Sequence, residues 1–165
     1  MSMIQVMYRS RCRSGLADDA SIVGPIVKSS IRNNQRDGLT GFLIAAGEWF
    51  VQILEGKPEV VQSVLERISQ DDRHYELVEI ARREITVRAF AEWSMGCSTD
   101  SLARRALFKR HGIGGTFNAS ELAAPTLFSL AMDLQFQNRF QGFAEAAGGT
   151  PIHTASAPIG EAAPE

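Results

Sequence analysis

Cysteine is nearly absent from this chain of 165 residues, with Cys12 and Cys97 its only two. That is too few for a disulfide framework, and the pair lacks metal-ligand spacing, so a reduced, cytoplasmic setting without a bound metal is expected. An excess of one charge sign is missing too. Lys and Arg total 17 against 19 Asp and Glu, a net charge of -2, which gives no reason to expect a nucleic-acid partner. The longest apolar run, Phe42 to Ala46, falls far short of the roughly 20 residues that span a bilayer, so no membrane partner is expected. Met1-Ser2-Met3 opens directly into a strand-like run, which speaks against a secretory leader. No glycine-rich phosphate loop and no nucleophile–base pair stand out. A hydrophobic content of 44% and a charged content of 22% suit one globular domain with an appendage.

Periodicity supplies the elements. Met3 to Ser10 alternates as a strand, with Ile4, Val6 and Tyr8 on one face and Met3, Gln5, Met7 and Arg9 on the other. Asp18-Asp19 opens a helix striped by Ile22, Val23, Ile26, Val27 and Ser30, with Pro25 roughening its first turn and Asn33-Asn34 closing it. Asp37-Gly38 makes a turn into the strands Leu39–Ala45 and Trp49–Leu54, a hairpin. Pro58 begins a second helix, to about Gln70, striped by Val60, Val61, Val64, Leu65 and Ile68. Leu77 to Ile85 and Trp93 to Cys97 read as two more strands.

The order βαββαβ plus one strand predicts an α+β, ferredoxin-like sheet with two helices on one face. Two C-terminal helices are predicted, over about 100–109 and 125–141. The second has the apolar face Leu127, Leu130, Ala131, Leu134 and Phe136, with Phe128, Phe140 and Phe143 elsewhere on it. It wants burial against the bare sheet face or another subunit. From 147 to 165 the composition predicts a disordered tail.

A small polar set stands out within this frame. Tyr8 and Gln52 occupy inward positions on neighbouring strands, and a buried amide is costly unless paired. Taken singly, Tyr8 reads as a core tyrosine with a satisfied hydroxyl, and Gln52 equally as an edge or rim amide and as a ligand contact. Asn33 and Asn34 read as helix terminators, Arg73 and His74 as a solvated charged loop, and Ile26, Ile68, Trp93 and Met95 as core. As a set, phenol and amides without nucleophile or metal ligand suit holding a polar aromatic ligand rather than cutting a bond.

The blocks Tyr-x-Ser at 8–10, Arg-Asn-Asn at 32–34, Leu-Thr-Gly at 39–41, Phe-x-Gln-x-Leu-Glu-Gly at 50–56, Asp-x-Arg-His at 71–74 and Arg-x-Phe-x-x-Trp-Ser-Met at 88–95 together resemble the BLUF family of flavin-dependent blue-light sensors. The resemblance implies a sensory domain over 1–99, a helical extension over 100–146, and a non-covalent flavin, FAD with FMN as the alternative. It places the ring between Ile26 and Ile68, with Asn34 and Gln52 on its polar edge and Tyr8 bonded to Gln52. Asn33, Arg73 and His74 fall at the ribityl and phosphate end. Tyr8 and Gln52 would be the photoactive switch, with light drawing an electron and proton from the tyrosine and leaving the glutamine amide rearranged. Trp93 and Met95 would relay the change to the C-terminal helices.

The expected protein is therefore a short photoreceptor and not an enzyme, acting as a homo-oligomer on a separate effector protein. The rival from another class is a small acylphosphatase-type hydrolase with an anion cradle at Arg9-Ser10-Arg11 and Asn33.

Overall fold

The computed structural model describes residues 2–99 and 104–146, apart from the side chains of 140–146. The predicted tail over 147–165 and the side chains of Phe140 and Phe143 lie outside the described residues. Strand β1 (Met3–Cys12) is followed by α1 (Ala20–Asp37), the hairpin β2 (Thr40–Ala46) and β3 (Trp49–Gly56), α2 (Pro58–Ser69), β4 (His74–Ile85) and β5 (Gly96–Thr99). Two helices follow, α3 (Arg105–Arg110) and α4 (Ala124–Ala146). The sheet order is β4-β1-β3-β2-β5, antiparallel throughout except for the parallel pair β2 and β5. The first four strands have the predicted ferredoxin-like order, and β5 adds beyond β2.

Alternation along the strands sorts their side chains onto two faces, each with its own apolar core. Ile4, Val6, Tyr8, Leu43, Phe50, Leu54, Met95 and Cys97 pack with Val23 and Val27 of α1 and Val61, Val64 and Leu65 of α2. Met7, Phe42, Ile44, Val51 and Ile53 pack with Leu127, Leu130, Ala131 and Leu134 of α4. Leu127, Leu130 and Leu134 are all 0% exposed. Three such leucines stabilise docking by roughly 5–9 kcal/mol before the ordering of the helix is charged against it. The apolar stripe of α4 is thus answered by the chain's own sheet. Phe136, read above as part of that stripe, is instead 60% exposed, because two residues beyond Leu134 the helix has turned through more than half a revolution.

Three further expectations are corrected. Asn33-Asn34 does not close α1, which continues to Asp37. The stop comes from Gly38 at φ 70, whose N–H bonds the Asn34 carbonyl. The fourth strand starts at His74 rather than Leu77, since His74 already pairs with Cys12. The fifth is Gly96–Thr99, and Trp93 and Met95 do not share a face: Trp93 belongs to the α4-side core and Met95 to the helix-side core. Residues 91–95 run as turn and bend, with Trp93 held by its own N–H to the Phe90 carbonyl (3.0 Å) and by its carbonyl to the Gly41 N–H (3.1 Å). Strand parity therefore breaks between the two residues. Among the described residues no helix is long and apolar enough to cross a membrane.

Gly41 shows why Thr-Gly begins β2. A Cβ at this position would be driven into the Ile53 carbonyl oxygen on the neighbouring strand, where rigid backbone cannot yield. Gly41→Ala is expected to lower stability by about 3 kcal/mol, the upper end of an overpacking cost, in a denaturant titration. A loss below about 0.5 kcal/mol, the scatter of ordinary surface substitutions, would contradict this packing.

Candidate functional site

A cleft of about 240 Å³ opens on the helix side of the sheet, between α1 and α2. Tyr8, Ile26, Asn33, Asn34, Gln52, Ile68, Arg73 and His74 all line it. Its size lies just below the 300–1,000 Å³ of clefts that enclose a whole drug-sized ligand. One flat ring system therefore fits inside, with any longer tail at the mouth.

The floor comes from the strands. Tyr8 and Gln52 are direct cross-strand partners in the β1–β3 register, and Leu43 is opposite Gln52 on the other side. Tyr8 is 1% exposed, and its Oη has no hydrogen-bond partner among the described residues. The expected Tyr8–Gln52 bond is not made here. The Gln52 Nε2 instead donates to the Met95 Sδ at 3.6 Å, a weak acceptor. Burial, with a smaller contribution from Asp71, raises the Tyr8 phenol well above its usual ionisation range, so it keeps its proton at neutral pH.

The walls come from the helices. Ile26 of α1 and Ile68 of α2 supply apolar surface. Asn34, buried near the end of α1, donates its Nδ2 to the Ser94 carbonyl at 2.7 Å. His74 has both ring nitrogens engaged within the chain, Nε2 with the Ile68 carbonyl (2.7 Å) and Nδ1 with the Ser10 Oγ (2.8 Å). A carbonyl only accepts, so Nε2 carries the proton. His74 therefore enters the cleft as a fixed wall. Arg73 is folded onto Asp71 through several bonds, which hold the Asp71 carboxyl below its usual range.

Sequence reasoning missed Ser29 and Arg67 as lining residues. Ser29 lies one helix turn before Asn33, and Arg67 directly precedes Ile68, a signal visible only once both helix faces are oriented. The anion cradle imagined for a hydrolase is not assembled. Ser10 and Asn33 line the cleft, but Arg11 points away to Glu48 (3.3 Å) and Glu76 (3.1 Å) and lies over Trp49. Among the described residues no three His, Cys, Asp or Glu side chains gather to hold a metal.

The family described as "Sensors of blue-light using FAD" matches residues 3–96. The chain belongs to the BLUF family. Among curated proteins it is 34% identical over 92 residues to the blue light- and temperature-regulated antirepressor BluF of Escherichia coli (strain K12), covering 54% of this chain and 22% of the relative. It thus spans only about a fifth of that protein. Among solved structures, BlsA in its photo-activated state superposes with a TM-score of 0.70 at 27% identity, over 80% of this chain and 94% of that one. A bacterial light-regulated adenylyl cyclase gives 0.59 at 32% identity, over 66% of this chain and 32% of that one. BLUF domains thus accompany effector domains such as a cyclase, and the hydrolase reading is set aside.

The residues present fit the FAD of the family description. An unpartnered phenol, a half-satisfied amide and a second amide converge on a cleft walled by isoleucines, and such a set accepts a flat ring with carbonyl and nitrogen edges.

Tyr8 also sets a pH limit. Its ionisation is raised in the folded state, so its contribution to stability is complete below about pH 10 and is lost as pH rises beyond that. Unfolding curves should show the wild type weakening above about pH 10 more steeply than Tyr8→Phe. Parallel curves would contradict the burial of the phenol.

Proposed function

We propose that Tyr8, Gln52 and Met95 form the light-driven switch of this BLUF photoreceptor and that α4 carries its output to a separate effector protein, with the chain acting as a homo-oligomer. A single observation supports this above the rest. The Gln52 amide touches the Met95 Sδ, and two residues later the Cys97 carbonyl accepts from the Asn138 Nδ2 of α4 at 2.9 Å.

A bound flavin supplies the absorption of blue light and a transient acceptor for an electron and a proton. Tyr8 would donate both and take both back, leaving no net redox change, since its phenol is protonated, buried and uncommitted to another acceptor. Gln52 is the part that stays changed. The two ends of its amide are a donor and an acceptor of similar shape, so exchanging them reverses hydrogen-bond polarity without a clash. Release of a thioether sulfur costs little. Asn34 would hold the ring's polar edge, and it holds, through the Ser94 carbonyl, the segment that leads to Met95.

One altered hydrogen bond is worth only about 1 kcal/mol net, so the output element must already be near balance. The middle of α4 has that character. Beside Asn138, it is tied to the segment before β5 by the Gln135 Nε2 to the Ala89 carbonyl (3.1 Å) and by the exposed pair Arg139–Glu92 (3.0 Å). An exposed ion pair of this kind contributes at most about 1 kcal/mol. Burial pushes the Cys97 thiol up to about 12 despite Arg104 nearby, so it stays uncharged beside these contacts. Phe136, largely exposed on the same helix, offers a foothold for an effector or a second copy.

In difference spectra of the FAD-loaded protein, Gln52→Leu and Tyr8→Phe are expected to keep bound flavin and lose the reversible red shift. Asn138→Ala should keep the shift but erase the light-dependent change in proteolysis of α4. A normal shift in Gln52→Leu would remove Gln52 from the switch, and an unchanged proteolysis difference in Asn138→Ala would remove the Asn138–Cys97 bond from the route.

A further inference from the structure

Glu55 is a carboxylate with no exposed surface, on the face of β3 turned away from the cleft. Four donors converge on it. Oε1 accepts from the Gln5 Nε2 (2.7 Å) and the Ala89 N–H (2.8 Å), and Oε2 from the Thr40 Oγ1 (3.0 Å) and the Phe90 N–H (3.1 Å). Arg88 closes the cluster, with Nη1 donating to the Thr40 Oγ1 (2.9 Å) and the Glu55 carbonyl (3.0 Å) and Nη2 to the Gly38 carbonyl (2.8 Å). A reach to α4 is included. The Gln5 Oε1 accepts from the Arg83 Nε (2.8 Å), and the Arg83 guanidinium lies 4.9 Å from the centre of the Phe128 ring.

Ala89 and Phe90 belong to no strand or helix. They begin the segment that ends at Met95, so this segment is gripped at both ends. Upstream, Glu55 and Arg88 hold it. Downstream, Gly41 holds the Trp93 carbonyl, Asn34 the Ser94 carbonyl, and Gln52 meets Met95. Gln52 and Glu55 lie on the same strand, three residues apart and on opposite faces. Strand β3 is therefore the frame against which Met95 moves, with one end of the segment clamped to that frame and the other touching the switch.

We propose that Glu55 is a positioning residue for the light response: it fixes the upstream end of 88–95, so that a shift at Met95 is expressed in β5 and α4 rather than absorbed by the turn. This rests on the reading of Gln52 and Met95 as the switch. An anchored segment passes displacement onward, whereas a slack one takes it up locally. Carboxylate chemistry suits the task, because four donors need an acceptor with no hydrogen of its own. Glutamine has the same shape but turns an NH₂ toward two of those donors.

The test uses the FAD-loaded full chain as wild type, Glu55→Gln and the milder Thr40→Val, which removes one donor. Amide hydrogen exchange is followed in the dark and under blue light, with the visible spectrum recorded alongside. In the wild type, Ala89 and Phe90 should be protected in both states, with the light-dependent difference in β5 and α4. Glu55→Gln should keep the red shift, since Tyr8 and Gln52 are on the other face. Its Ala89 and Phe90 amides should exchange about tenfold faster or more, and the light-dependent difference should move from β5 and α4 into 88–92.

A wild-type light response in β5 and α4 of Glu55→Gln would overturn the proposal. If that variant does not fold, Thr40→Val with loosened Ala89 and Phe90 amides and an undiminished response would overturn it equally. A wild type that shifts its spectrum without any change in β5 or α4 overturns the role of Glu55 and leaves the flavin switch standing. A wild type that never shifts removes the switch itself, and Glu55's role with it.

Discussion

A phenol and an amide, side by side on an otherwise apolar sheet face, are the constraint from which the rest of this structure follows. Tyr8 and Gln52 are cross-strand neighbours, buried among Ile4, Val6, Phe50 and Leu54. Each polar atom left without a partner there costs about 1–3 kcal/mol, a large share of the stability of a small domain. A sequence optimised only for packing would place leucine at both positions. The cleft between α1 and α2 gives these two side chains room for a ligand with polar edges, between the two isoleucines that line it.

On the proposed reading, communication runs through the thin sheet. The flavin-side core and the α4-side core are separated by a single layer of backbone, and residues a few positions apart on one strand reach opposite cores. The break in strand parity across 91–95 sends Trp93 to one core and Met95 to the other. Met95 is the one that meets Gln52, and the carbonyl of Cys97 on the same strand is the one that α4 grips. The proposed switch and the proposed output helix are therefore neighbours in space without sharing a cavity.

Much of this was legible in the sequence, for identifiable reasons. The element order, the inward alternation of Tyr8 and Gln52 and the apolar stripe of α4 all follow from periods of two and 3.6, which read correctly wherever one face is buried. What failed depended on local geometry that periodicity does not encode. Asn33 and Asn34 look like helix terminators, yet Asn34 is helical because its amide has a buried carbonyl to serve at Ser94. Trp93 and Met95 look like strand neighbours, and only the bend between them puts them on opposite sides. The carboxylate of Glu55 sits inside a motif that was read for its glutamine, because its four donors are scattered from Gln5 to Phe90. His74 reads as part of a solvated charged loop, because nothing local announces that Ile68 and Ser10 occupy both its nitrogens.

The central claim is that light leaves a changed hydrogen bond at Gln52 and no lasting change in redox state. The most direct measurement is the infrared difference spectrum of the FAD-loaded wild type after blue illumination, taken with its visible spectrum. A lowered frequency of the flavin's C4 carbonyl, which lies on the polar edge facing Gln52 in the proposed reading, with a small red shift, no bleaching and full recovery in the dark is the expected result. An unmoved carbonyl band, or flavin absorption that bleaches and stays bleached, would contradict it.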